Sequence, residues 1–116
     1  MVSPTNIREQ TLATLRGTRQ DMSTSKWLRA VGKKPMEIQR EAAFKRLEVE
    51  QAILELGNEK LSEISAKLKE NETELLEGRA DLIAARKNLR KVEEVLGAVG
   101  KVLGLISKIV KFPTGL

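Results

Sequence analysis

The side chains best able to do chemistry in this 116-residue chain are its carboxylates and its cations. His, Cys and Tyr are absent, so the chain lacks the usual general base at neutral pH, a thiol nucleophile and the best zinc ligands. Two pairs of neighbouring carboxylates remain, Glu72 with Glu74 and Glu93 with Glu94. Neighbours one or two positions apart on a helix do not converge on a substrate. We therefore expect no enzymatic activity, no cofactor and no metal site.

The cations are unevenly distributed along the chain. Residues 1–36 hold seven basic and two acidic side chains, whereas residues 37–94 hold eleven basic and fourteen acidic ones, finely interspersed. The last 22 residues carry three lysines and no acid. Mixed charge is typical of a solvated helix surface, while cationic ends suit an acidic partner, anionic lipid or phosphate.

The basic N-terminal region contains the single tryptophan of the chain. We predict a partner-docking group made of Trp27, Arg29, Lys33 and Lys34, because amphipathic aromatics and cations often anchor interfaces. The alternative is that Trp27 and Leu28 pack back onto the longer helical segment that follows.

A second basic group comprises Arg79, Arg86 and Arg90, which lie on one helical face beside Lys87 and Lys91. It suits phosphate contacts through charge alone, and equally the charged flank of a coiled coil. Because no nucleic-acid-binding motif accompanies these residues, association with nucleic acid is the weakest of the functional hypotheses.

The elements that position these residues are predicted to be helices throughout. In residues 1–35, Ser3-Pro4 begins a short helix that runs to Gly17, and Ser23-Thr24-Ser25 begins another that ends at Gly32. Pro35 marks a boundary, since residues 36–111 contain no proline and are rich in strong helix formers.

A seven-residue ladder runs through this long segment without a slip, and such spacing is typical of a left-handed coiled coil. One continuous helix over residues 36–111 would be about 114 Å long. The alternative is a helical hairpin bent near Gly78, where Asp81 offers a cap for the second helix. Asn71 followed by Glu74 offers a similar but weaker cap. The ladder consists of Leu47, Leu54, Leu61, Leu68, Leu75, Leu82, Leu89, Leu96, Leu103 and Val110.

The companion position, three residues after each ladder position, holds mainly polar residues or glycine at first and is consistently apolar only from Ala85 onward. We therefore predict self-association there, with a trimer or higher oligomer favoured over a dimer because leucine alternates with Val or Ile. The predicted oligomerisation residues are Leu82, Leu89, Val92, Leu96, Val99, Leu103 and Ile106.

The final segment, 95–116, combines a wide apolar face with a narrow cationic ridge. Gly97, Gly100 and Gly104 permit close helix packing, and Gly100 with Gly104 has the Gly-x-x-x-Gly spacing seen in membranes. The ridge lysines are Lys101, Lys108 and Lys111. This composition suits either a packed bundle core or a helix that lies in a lipid interface.

Together these patterns predict an all-α chain with a basic arm (1–35), a long charged helix (36–94) and an amphipathic oligomerisation or membrane-contact segment (95–116). We expect a structural or adaptor protein that self-associates, docks a partner through its basic arm and belongs to a larger assembly. The alternative is a protein whose C-terminal helix binds anionic membrane. No secretory signal or ordinary membrane span is visible, so we expect a cytoplasmic, assembly-associated or membrane-peripheral location.

Overall fold

The computed structural model describes residues 3–112, and within this range the secondary structure consists of six α-helices and no strand. The prediction of an all-α chain is confirmed. The molecule measures 44 × 25 × 18 Å, so a continuous rod of about 114 Å is not found. The helices are α1 Pro4–Asp21, α2 Ser25–Gly32, α3 Met36–Asn58, α4 Leu61–Glu70, α5 Glu72–Ala85 and α6 Val92–Ile106.

The first two helices begin at the predicted caps. The Ser3 hydroxyl accepts a hydrogen bond from the backbone N of Asn6 at 3.2 Å, and the Thr24 hydroxyl accepts one from the backbone N of Trp27 at 3.3 Å. The first helix does not end at Gly17, however, but continues to Asp21. A glycine within a helix costs only about 1 kcal/mol relative to alanine, which the packing of α1 against three other helices outweighs.

The long segment is divided into four helices, and an asparagine lies at or beside each interruption. Asn58 ends α3 and Glu59 is extended, with φ −67° and ψ 143°. The Asn71 side chain donates to the Lys67 carbonyl at 2.8 Å, and the Asn88 side chain accepts from the Arg90 backbone N at 3.2 Å. Asparagine side chains compete for backbone hydrogen bonds in this way and so favour helix ends.

The bend predicted near Gly78 is also not found, because Gly78 lies inside α5. A Cβ at residue 78 would lie 3.3 Å from Leu105 Cδ1, so this glycine allows α5 and α6 to approach closely. The chain reverses between the two helices instead, which brings Lys101 to 3.2 Å from Asp81.

The core lies between α6, which packs against α2, α3 and α5, and α1, which packs against α3, α4 and α5. The wide apolar face of α6 is therefore covered by other helices of the same chain. The leucine ladder follows this core from its fourth member onward, whereas Leu47 and Leu54 are more than half exposed. The buried ladder members are Leu68, Leu75, Leu82, Leu89, Leu96, Leu103 and Val110.

Candidate docking cleft

Basic side chains from two parts of the fold surround one open cleft of about 670 Å³. One wall comes from α2 and the two residues that follow it, and the other comes from the connection between α5 and α6. We call this site the cationic cleft, and its lining residues are Lys26, Arg29, Ala30, Lys33, Lys34 and Arg90.

The cationic cleft is positioned by the amphipathic character of α2. Trp27 is only 2% exposed and belongs to the core, which anchors this eight-residue helix. Lys26, Arg29 and Lys33 are exposed on the side away from the core. Because an isolated helix of this length is unstable in water, its packing against α3 and α6 is what holds the basic side chains in place.

An ion pair connects the cleft to the first turn of α6. Lys34 Nζ lies 2.9 Å from Glu93 Oε1. The hydrogen bond from Lys34 is the main cause that lowers the pKa of the Glu93 carboxyl, followed by a backbone hydrogen bond at Glu93. Desolvation raises this pKa, and the charge of Lys34 makes a smaller contribution that lowers it. Glu93 therefore stays ionised at neutral pH and partly neutralises Lys34.

The other four cations of the cleft have no ion-pair partner among residues 3–112. Like charges that face a common space raise its positive potential and attract anions. Arginine presents a planar fork of donors that matches a carboxylate or phosphate, and lysine adds a mobile point charge. The unpaired cations are Lys26, Arg29, Lys33 and Arg90.

The structure brings together three of the four predicted docking residues, Arg29, Lys33 and Lys34. Trp27 instead lines a separate groove between α2 and α3, whose lining also includes Gln39 and Arg46. The predicted docking residues did not include Lys26 or Arg90, which the structure adds to this site. Lys26 has helical spacing with Arg29 and Lys33, so the sequence contained a signal for it. Arg90 is brought beside these residues only by the tertiary fold.

The second basic group is divided, since two of its arginines hold α5 against α1. Arg79 Nε donates to Thr14 Oγ1 at 3.2 Å, and burial lowers the pKa of Arg79. Arg86 Nε donates to Asp21 Oδ2 at 2.7 Å. Of these three arginines, only Arg90 lines the cationic cleft. No sequence pattern indicated that Thr14 and Asp21 would be the partners of Arg79 and Arg86.

The seven residues predicted to drive self-association are all buried inside the single chain. Self-association through them stays a prediction, and it would require their side chains to leave this core. They are Leu82, Leu89, Val92, Leu96, Val99, Leu103 and Ile106.

The predicted close-packing glycines of α6 have few neighbours in the chain. A Cβ at Gly97 or Gly104 would meet nothing within 4 Å, and one at Gly100 would lie 3.6 Å from Lys45 Cε. The ridge lysines lie on the surface: Lys101 pairs with Asp81 at 3.2 Å, Lys108 lies 3.8 Å from Glu74, and Lys111 is exposed.

Comparisons of the chain with protein-family models, with curated proteins and with solved structures find no match. None of the helices in residues 3–112 combines the length and the hydropathy that a membrane span requires. The same residues contain no group of three or more acidic side chains placed to hold a metal ion.

Proposed function

We propose that the protein is a non-enzymatic helical adaptor that docks an acidic segment of a partner protein in the cationic cleft, as one part of a larger assembly. The observation that carries this proposal is the convergence of four unpaired cations and the Lys34–Glu93 pair on one space of about 670 Å³. Carboxylates in that space would accept hydrogen bonds from the cations and reduce their mutual repulsion.

The chemistry of the cleft favours an acidic peptide over a nucleic acid. Proteins that bind single strands present exposed aromatic rings on which bases stack. The cationic cleft has no aromatic lining residue, and the nearby Trp27 ring is buried in the core. The cleft thus offers charge and hydrogen-bond donors without a stacking surface.

The packing of α6 likewise favours a protein partner over a lipid surface. A helix that lies in a lipid interface buries its own apolar face among the acyl chains. The apolar face of α6 is already buried against α2, α3 and α5, so lipid contact through it would require the bundle to open. The cationic cleft needs no such rearrangement, and a preformed site avoids the cost of ordering.

The experiment is to measure the affinity of the full-length chain for a fluorescein-labelled peptide of ten glutamates at low and moderate salt. We expect saturable binding that weakens as salt rises, because the attraction between exposed charges is screened. The double variant Arg29→Glu/Arg90→Glu should bind the peptide at least tenfold more weakly, because both guanidinium groups of the cleft are replaced by carboxylates that repel it.

The matched control is Lys60→Glu/Lys67→Glu, which changes the net charge equally but lies in and just before α4 rather than at the cleft. We expect this control to bind within about threefold of the wild type. Equal losses in both double variants would mean that the peptide responds to overall charge and would contradict a specific cleft. Tighter binding of a ten-nucleotide deoxythymidine strand or of phosphatidylserine vesicles at equal charge would contradict an acidic protein segment as the partner.

A further inference from the structure

The side of α3 that faces away from its buried residues carries an apolar row, and α2 borders this row at Ala43 and Leu47, which also line the groove between α2 and α3. Met36, Leu47 and Leu54 are 60%, 57% and 55% exposed, and Ala43 between them is also exposed. This row lies on the opposite side of α3 from its buried residues, which include Val49 and Leu56. Exposed apolar side chains aligned on one face of a helix are candidates for an interaction surface.

The row has the spacing of a helix-packing seam. Together with Arg40 and Glu50, its members are separated alternately by four and three residues, which is the pattern that two helices use to interlock. We call these six positions the α3 seam: Met36, Arg40, Ala43, Leu47, Glu50 and Leu54.

We propose that the α3 seam packs against the α3 seam of a second copy of this chain, with the two helices antiparallel about a twofold axis. In such an isologous pair, a residue before the axis on one copy lies opposite the residue that is the same number of positions after the axis on the other copy. With the axis at the height of Lys45, the arrangement pairs Met36 with Leu54 and Ala43 with Leu47, each twice.

The same register pairs Arg40 with Glu50 of the second copy, and this charge complementarity identifies the occupant. Neither side chain forms an ion pair with another residue of the range 3–112. Two Arg40–Glu50 ion pairs would therefore form, one on each side of the axis. A parallel dimer would instead place Arg40 beside Arg40 and Glu50 beside Glu50. Like charges at equivalent positions destabilise such a pair.

The dipoles of the two α3 helices favour the same orientation, because an antiparallel second copy opposes its helix dipole to that of the first. The seam does not include the cationic cleft, so this proposal stands independently of the proposed function.

The test is sedimentation equilibrium of the full-length chain from low micromolar to several hundred micromolar concentration. A single pair of helices buries an area at the lower end of stable interfaces, so we expect a reversible dimer with a micromolar dissociation constant. Leu54→Asp should weaken the dimer at least tenfold. Leu76→Asp is the matched control, because Leu76 is 60% exposed on α5 and outside the seam, and it should leave the dissociation constant within about twofold.

Charge exchange tests the register directly. Arg40→Glu or Glu50→Arg alone should weaken the dimer at least fivefold, because each places like charges in contact across the interface. The double variant Arg40→Glu/Glu50→Arg should restore the dimer to within about twofold of the wild type. Failure of the double variant to restore it, with both single variants folded by circular dichroism, would overturn the register.

The orientation of the two helices is tested with a spin label on the variant Asn58→Cys. The introduced thiol is the only one in the chain, because the sequence has no cysteine. In the antiparallel dimer the two labelled positions are about 39 Å apart along the helix axes, at about 1.5 Å per residue. A distance near 40 Å by pulsed electron paramagnetic resonance supports the proposal. A distance under about 20 Å indicates parallel packing and overturns it, as does a chain that stays monomeric over the whole concentration range.

Discussion

Arg86 on α5 and Asp21 at the end of α1 form an ion pair with Nε and Oδ2 2.7 Å apart. The Arg86 guanidinium also donates to the Thr14 carbonyl at 3.4 Å, and it lies over Gly17, where a Cβ would come within 2.5 Å of Nη2. The helix that holds Asp21 and Gly17 is therefore part of the bundle that supports the cationic cleft, rather than a separate arm.

Replacing Asp21 by Ala should destabilise the fold. The Arg86 side chain is only 21% exposed, so it would lose its partner in a partly desolvated position. A loss of about 1–2 kcal/mol in the free energy of unfolding is expected, reduced from the cost of a fully buried charge by the remaining solvent. Urea denaturation followed by circular dichroism measures it.

The control for this variant is Asp81→Ala, which removes the exposed pair with Lys101. Its two side chains are 62% and 55% exposed, and pairs of this kind contribute about 0–1 kcal/mol. If Asp81→Ala cost as much as Asp21→Ala, the Asp21–Arg86 pair would have no special part in joining α1 to α5.

Adding side chains at the glycines of α6 and at the glycine of α5 should change the stability of the fold in opposite directions. Gly97→Ala and Gly104→Ala should each stabilise the chain by about 0.5–1 kcal/mol, because a Cβ there meets open space and alanine favours a helix. Gly78→Val should destabilise it, because its branched side chain would press on Leu105 and Val102. Denaturation midpoints of the three variants compare these effects.

Destabilisation or loss of self-association in Gly97→Ala would contradict this expectation. That result would instead support the prediction from sequence that Gly97, Gly100 and Gly104 are a close-packing surface for another helix.

The pKa of Glu63 should be higher than that of an ordinary glutamate. A hydrogen bond with Glu59 and the negative charge of Glu59 raise it, and desolvation adds a smaller effect. Because the folded chain holds this proton to higher pH than the unfolded chain, the contribution to stability falls as pH rises through the raised pKa. Titration of the side-chain carboxyl carbons by NMR should place Glu63 above its ordinary value, and Glu59→Gln should return it towards that value. An unchanged titration of Glu63 in this variant would contradict the coupling.

The pKa of Glu93 should shift in the other direction, and Lys34→Met tests its cause. A carboxyl whose pKa is lowered on folding contributes stability above its unfolded pKa, and this contribution is lost as pH falls through the folded pKa. We expect the pKa of Glu93 to rise in Lys34→Met but to stay below the ordinary value, because its backbone hydrogen bond remains. Lys33→Met, which removes a neighbouring cation that does not contact Glu93, is the control.

Parts of the fold followed directly from the sequence. The caps at Ser3 and Thr24 predicted where α1 and α2 begin, because a cap depends on a few neighbouring residues. The boundary at Pro35 was also predicted, because proline favours the start of a helix through its own backbone geometry. The ladder from Leu68 onward identified the core face correctly, although its even spacing suggested one continuous helix.

The interruptions at Asn58 and Asn88 were not predicted, and the one at Asn71 was predicted only as a weaker alternative to a bend at Gly78, because the register of the leucines is kept across all three. Asn58, Asn71 and Asn88 are the only asparagines after residue 36, and their positions were the available signal. The cationic cleft was predicted only in part for a different reason. Arg29 and Lys33 are neighbours on one helix, but Arg90 joins them through the packing of α2 against α6, which no local pattern encodes.

The most direct test of the central claim is an NMR titration of isotope-labelled full-length chain with the peptide of ten glutamates at low salt. The cationic cleft predicts saturable changes in amide chemical shift concentrated at residues 26–34 and around Arg90, with little change at Lys60 and Lys67. Changes spread evenly over all basic residues, or no changes at millimolar peptide, would contradict the claim that this cleft docks an acidic segment.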